Sequence, residues 1–249
     1  MRFDLEKESE KMFMENQFSG LKIIKIKNKV IYVIDKHQYN LPIWGDLSIN
    51  NNKSYILVSI DFHPDTNPPF YQSALLEATM KDDENAEILA KKIIKRKVNS
   101  INRKDVLSLI SISDELSNDE HINTAMELNY LSDYHMINCM DKHEYTTGTH
   151  YKVSSNFFSS LENEMFESVD FQIPDEDIVL DIDLDYFSKK DSFNPKNSDI
   201  IKKLIKKAEI VTIARSEKYF EYLKKDEFNL EECENSCINM IKEIILKKM

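Results

Sequence analysis

Tyr55-Ile56-Leu57-Val58-Ser59-Ile60-Asp61-Phe62-His63-Pro64-Asp65 is the stretch on which the fold turns. Its first six residues are apolar except for Ser59 and lack the alternation of a half-solvated strand. That predicts a strand buried on both faces, the kind found in parallel sheets covered by helices. Asp61, His63 and Asp65 then follow at a spacing of two, so if the strand continues all three side chains point to one face. A second stretch repeats the plan. Ile178-Val179-Leu180 leads into Asp181, Asp183 and Asp185, again two apart and again sharing a face.

Working outward, apolar runs at 21–26, 30–34, 106–112, 136–139 and 210–214 predict further buried strands, with Asn28-Lys29 as a tight hairpin turn between the first two. Helical periodicity covers 73–97, 119–131 with Asp119 as a candidate cap, 198–207 and 230–249. Alternating buried strands and helices predict a three-layer α/β/α architecture with a mainly parallel central sheet. No repeat, low-complexity tract or composition break divides the chain. One domain over 1–249 is expected.

Composition excludes several function classes. Gly20, Gly45 and Gly148 are the chain's three glycines, and neither a dinucleotide fingerprint nor a Walker loop can be written with them. A formal net charge of −11 repels a phosphate backbone and attracts cations. No nucleic-acid partner is therefore expected, and a peptide or small cationic substrate is. Cys139, Cys233 and Cys237 form no secreted disulfide framework. The spacing of the last two on a predicted helix suits one buried and one partly exposed thiol. The N-terminus lacks the pattern of a signal peptide, and no apolar stretch approaches the ~20 residues that span a bilayer. A cytoplasmic protein without membrane contact is expected.

In an open parallel sheet, ligands bind at the carboxyl ends of strands, where both Asp-rich stretches lie. If the two strands are neighbours, they sit ~4.8 Å apart and up to five carboxylates converge. Like charges at ~4 Å repel by about 4 kcal/mol at an effective dielectric of 20. One or two divalent cations resolve this. Carboxylates mixed with imidazole suit Mn²⁺, Fe²⁺ or Zn²⁺ better than Ca²⁺. A calcium-binding helix–loop–helix is excluded, because Tyr186 stands where its loop needs glycine. The Asp-x-Asp pair of aspartate-based phosphatases stays open as an alternative, although its usual Thr or Val position falls on Asp185 or Phe187.

Ile60-Asp61-Phe62-His63-Pro64-Asp65-Thr66-Asn67-Pro68-Pro69 resembles the Asp-Ala-His-x-Asp motif of arginases and other ureohydrolases, and Asp181-Ile182-Asp183-Leu184-Asp185 resembles their Ser-x-Asp-x-Asp motif, with Asp181 in the Ser position. His37 lies twenty-four residues before Asp61, matching the family's further His ligand at an earlier strand end. Asp35-Lys36-His37-Gln38-Tyr39-Asn40-Leu41-Pro42-Ile43-Trp44, Glu120-His121-Ile122 and Thr212-Ile213-Ala214-Arg215-Ser216 look like an atypical arginase-like branch, some of whose members convert arginine to ornithine within peptides. The chain departs from ordinary arginases in lacking their Gly-Gly-Asp-His phrase and the Asp-Pro that closes the second motif.

The resemblance implies an arginase/deacetylase-like fold and two Mn²⁺ ions, with other divalent transition metals possible. It places His37, Asp61, Asp65 and Asp183 on one ion and His63, Asp61, Asp183 and Asp185 on the other, so that Asp61 and Asp183 bridge and Asp181 stands behind them. It implies hydrolysis of an arginine guanidinium in a peptide or protein to ornithine and urea, with Asp65 orienting the attacking water. His121, His143 and His150 are candidates for a proton-carrying histidine at the mouth. Asn67 and Glu217 are candidate substrate contacts. Two other functions stay open: a related metal hydrolase of another linear amide or amidine, and a metal-binding interaction module without turnover.

Overall fold

Strand β3 (Tyr55–Ile60) is buried at every position, as its unbroken apolar run requires. The computed structural model describes residues 20–81, 84–141, 148–225 and 227–247. Around β3 lie β1 (Lys22–Ile26), β2 (Lys29–Ile34), β4 (Leu131–Asn138), β5 (Thr149–Lys152), β6 (Ile178–Asp183) and β7 (Ile210–Ala214). They form one sheet in the order β1-β2-β7-β6-β3-β4-β5. β1 and β2 pair antiparallel, and every other pairing is parallel. The two strands that carry the Asp clusters, β3 and β6, are direct neighbours in the middle of the sheet.

Helices cover both faces, giving the expected three-layer α/β/α arrangement. On one face are α1 (Asn40–Asn51), α2 (Tyr71–Lys81), α3 (Ala86–Asn99), α4 (Val106–Ser113) and α5 (His121–Glu127), which pack on Tyr55, Leu57, Met136 and Val179. On the other are α6 (Asn163–Ser168), α7 (Asp199–Lys207) and α9 (Leu230–Leu246), which pack on Val58, Ile60, Leu180, Ile182 and Val211. Between β7 and α9 runs α8 (Glu217–Leu223). Strand alternation separates the two sets of residues. It also places Ser59, Asp181 and Thr212, which are register partners across β3, β6 and β7, in one polar row under α1.

Several expectations fail for physical reasons. The run 106–112 is helix α4, not a strand. Asp105 caps it by accepting from the Leu107 N–H at 3.1 Å, and its apolar side packs on α1. The stretch 73–97 is two helices, divided by the wholly polar run 82–85 and tied together by Arg96 Nη2 on Glu77 at 3.3 Å. Strand β5 was not foreseen, being four residues of half-exposed edge. The hairpin turn falls on Lys27-Asn28, one residue earlier than expected, with Lys27 in the left-handed region at φ 53°, the positive φ that two-residue hairpin turns use. Glu120 rather than Asp119 precedes α5, and it offers no side-chain cap. Cys233 and Cys237 are both fully buried in α9, against the expectation that one would be partly exposed. No described helix is long and apolar enough to cross a membrane.

Candidate metal centre

Both acidic stretches gather at the carboxyl end of the sheet, but not by continued strand alternation. β3 stops at Ile60, and the chain through 61–65 bends, with Asp65 in the left-handed region at φ 42°. A non-glycine residue held there is strained, and such strain collects at functional sites. β6 ends at Asp183, and Asp185 lies in a 3-10 turn, Leu184–Tyr186, whose start is fixed by the Asp185 N–H donating to Asp183 Oδ1 at 3.0 Å. His37 arrives from a 3-10 turn, His37–Tyr39, just past β2.

Three groups of ligand-type atoms result, each drawn together within 4.8 Å: His37 with Asp61 and Asp183, Asp61 with His63 and Asp185, and His37 with Asp65 and His121. Asp61 belongs to the first two. His37 Nδ1 lies 2.8 Å from Asp65 Oδ2, 3.2 Å from Asp183 Oδ2 and 3.5 Å from Asp61 Oδ2. Its other ring nitrogen, Nε2, is 2.6 Å from Asp181 Oδ2. His63 Nδ1 is 2.9 Å from Asp185 Oδ2 and 3.8 Å from Asp61 Oδ1.

Asp181 is occupied by its own partners. Besides His37 it accepts from Asn40 Nδ2 at 2.9 Å, Thr212 Oγ1 at 2.5 Å and Ser59 Oγ at 3.2 Å. Its oxygens are spent behind the cluster, where they fix the His37 ring. Ser216 Oγ, just beyond β7, donates to Asp183 Oδ2 at 2.6 Å. Neither the Thr212–Asp181 nor the Ser216–Asp183 contact was read from the sequence. The signal available was Thr212, a lone polar residue inside the otherwise apolar β7.

The electrostatics are those of a site with excess negative charge. Burial and then the Asp65, Asp185 and Asp183 carboxylates push the Asp61 pKa well above the carboxylate range. Burial and Asp185 do the same to Asp183. Burial alone would lower the His37 pKa, but Asp181, Asp65 and Asp183 outweigh it and raise it well above the imidazole range. Asp61 Oδ2 is buried without a hydrogen-bond partner. An orphaned buried carboxylate oxygen beside imidazole nitrogens fits a divalent cation, because a cation supplies the missing countercharge without another protein donor.

Of the remaining expected site residues, His121 joins a ligand group and the other described ones lie outside all three. His121 is not at the mouth: it is fully buried against His37, with ring centroids 4.4 Å apart, and against Trp44 at 5.4 Å. Burial and the neighbouring His37 push its pKa down to about 4. A proton carrier at the surface does not fit that position. His150 lies on β5, its Nε2 3.2 Å from the Tyr134 hydroxyl, outside the ligand groups. His143 lies outside the described residues. Asn67 donates from Nδ2 to Asp119 Oδ2 at 2.6 Å. Glu217 is exposed at the start of α8.

A cleft of about 470 Å³ opens above the cluster. Asp65, Asp183 and Asp185 reach its lining, and Gln38, Gln72, Asp119 and Tyr219 form walls. The Tyr219 ring leans on His63, centroids 4.8 Å apart. A larger depression of about 530 Å³ between α7 and α9 carries Lys190, Lys202, Lys206 and Lys247 and contains none of the ligand groups.

No protein-family model matches the chain, and no curated protein does. Among solved structures, it is similar to proclavaminate amidino hydrolase from Streptomyces clavuligerus, with a TM-score of 0.44 and 9% identity. The match covers 88% of this chain and 65% of that one, so the chain spans less than two thirds of that enzyme's length.

Proposed function

We propose that the protein is a binuclear metal-dependent hydrolase of non-peptide C–N bonds, acting on the guanidinium of arginine side chains in a peptide or protein to give ornithine and urea. The observation that carries this reading is the pair of ligand groups that share the buried Asp61 and reach an acid-lined cleft through His63, Asp183 and Asp185. His37, Asp61, Asp65 and Asp183 would hold one cation, and Asp61, His63, Asp183 and Asp185 the other. When bound, two divalent cations, with Mn²⁺ as the first candidate, polarise a carbon–nitrogen centre and make water acidic enough to attack near neutral pH.

The chain's own groups then have defined tasks. Asp181 holds the His37 ring so that Nδ1 faces the cluster. Ser216 fixes the Asp183 carboxylate. Asp65, which reaches the cleft lining, accepts a hydrogen bond from the attacking water and orients it. Among the described residues the cleft lining carries Asp65, Asp119, Asp183 and Asp185, and of these Asp119 lies outside the ligand sets, where it favours a positively charged substrate group. Tyr219, 42% exposed, lines this cleft beside His63.

The test is urea release from an arginine-containing peptide by Mn²⁺-loaded protein, with mass spectrometry locating ornithine in the product. Free arginine and agmatine serve as parallel substrates, and the same peptide with lysine for arginine serves as the blank. Urea from the peptide but not from the blank is expected. Protein that holds two ions yet releases no urea from any of the three substrates would sink the proposal.

A further inference from the structure

We propose that His121 is a metal ligand, a third imidazole that closes on the same ion as His37 and Asp65. The inference rests on the metal-site part of the reading above, but not on its substrate. His121, His37 and Asp65 each offer a ligand atom within 4.8 Å of the others, a grouping that shares His37 with one of the two built on Asp61.

The chemistry of the ring points the same way. The Nδ1 atom of His121 is 2.7 Å from the Asn118 carbonyl oxygen, which can only accept, so Nδ1 carries the proton. Nε2 is therefore a bare lone pair. It is fully buried and has no hydrogen-bond partner. A buried acceptor without a donor costs free energy unless something electropositive meets it. Ligating histidines characteristically anchor the opposite N–H on a carbonyl or carboxylate, and both histidines here do so: His121 on Asn118, His37 on Asp181.

The surroundings hold this ring in fixed relation to Asp65. The Asn67 N–H donates to the Asp119 carbonyl at 2.8 Å, and Asn123 Nδ2 donates to the Thr66 carbonyl at 2.6 Å. The loop after Asp65 is thus stitched to both sides of His121. Glu120, also buried, accepts from the backbone N–H of Ser117 at 3.0 Å and of Gln72 at 2.9 Å. The Asn118 hydrogen bond accounts for Nδ1 alone; packing and that bond together leave the buried Nε2 without a use.

His121→Phe is therefore the decisive variant, since it keeps the ring between His37 and Trp44, with His121→Gln as a second variant should Phe disturb the fold. The purified full chain, stripped of metal, is titrated with Co²⁺ by calorimetry, and the Co²⁺-loaded protein is read by paramagnetic proton NMR. Wild type should bind two ions and show hyperfine-shifted, slowly exchanging imidazole N–H signals from His37 and His121. The variants should keep the apo circular-dichroism spectrum, lose one such signal and bind one ion at least ~10-fold more weakly. Two ions bound with unchanged affinity, an unchanged set of shifted signals, or wild type that binds no Co²⁺ would each overturn the assignment. Loss of urea release without these changes would count against it as well. Normal His121-dependent binding in a protein that releases no urea would leave it standing and remove only the proposed substrate.

Discussion

His37 is held between Asp181 and Asp65, with Nε2 2.6 Å from one carboxylate and Nδ1 2.8 Å from the other. Asp181 receives four donors in all, from His37, Asn40, Thr212 and Ser59, which only a carboxylate can accept together. In Asp181→Asn the new NH₂ group meets donors whichever way it turns. If it faces His37, the imidazole must move its proton to Nδ1 and blocks the nitrogen that faces the cluster. The variant is expected to bind Mn²⁺ roughly 10–100-fold more weakly, the usual effect of losing such a partner. Calorimetry measures the affinity, and ¹⁵N chemical shifts of the ring report the tautomer. Wild-type affinity in this variant would refute the orienting role of Asp181.

Asp61→Asn should separate stability from function. Asp61 Oδ1 accepts the His63 N–H at 2.8 Å, which an amide oxygen can continue to do. The other oxygen is the buried orphan, and an NH₂ there would donate toward neighbouring carboxylates. Without metal, the substitution removes a carboxyl whose charged form burial, Asp65, Asp185 and Asp183 all oppose. The apo variant should be more stable than apo wild type by about 1 kcal/mol, or roughly 2–4 °C in Tm for a chain of this size. It should also lose the rise in Tm that Mn²⁺ gives wild type, together with hydrolysis. A lower apo Tm would show that repulsion at Asp61 is not what the cation relieves.

Much of this centre was legible from local pattern. Spacing by two, placed after an unbroken apolar run, marked Asp61 and Asp183 as facing one side of a buried sheet, and β3 and β6 are indeed neighbours. His63, Asp65 and Asp185 reached the cluster for another reason. The chain bends after Ile60 and coils after Asp183, and neither turn contains a glycine to announce it. His121 was misplaced because a single sequence shows where a helix begins but not what lies beneath it. Its burial depends on α5 crossing α1 beside Trp44, a contact between residues far apart in the chain. The run 106–112 misled for a similar reason: a short run rich in Val, Leu and Ile suits a strand, and only the Asp105 cap and the face of α1 turn it into helix.

Arg215, one residue before Ser216, clamps the edge of the site. Its Nε donates to Glu234 Oε2 at 2.6 Å, and its Nη1 reaches the Gly20 carbonyl at 2.8 Å and Asp35. Lys22 adds a second bond to Glu234. Burial alone would raise the Glu234 pKa, but the Arg215 and Lys22 contacts outweigh it and hold it below the ordinary 4.5. A carboxylate with a depressed folded pKa stabilises fully above its unfolded value, and that contribution is lost as pH falls through the folded value. Glu234→Gln should therefore cost about 2 kcal/mol at pH 7, the scale for losing hydrogen bonds to a charged group in a partly solvated cluster. The gap between variant and wild type should narrow once pH drops below 4.5. Urea unfolding of the metal-free proteins across that range checks this; a gap that does not change with pH would assign the loss to packing instead.

Gly45→Ala tests whether packing or helix propensity governs α1, the helix that presents Asn40 to Asp181. Propensity alone favours alanine by about 1 kcal/mol in a helix interior. Space opposes it. A Cβ at Gly45 would enter the contact distance of Leu109 Cδ1 on α4 and stand 3.2 Å from Tyr130 Cε2. Leu109 and Tyr130 are both buried, so neither can swing outward into solvent. Overpacking of this kind costs about 1–3 kcal/mol, which exceeds the propensity gain. The variant should thus be less stable by about 1 kcal/mol, read as a lower urea midpoint with an unchanged m-value. The strain is relieved by moving α1 away from α4, which would carry Asn40 with it, so metal affinity should fall alongside stability. A variant more stable than wild type would show that the α1–α4 interface yields easily and that glycine here serves no packing purpose.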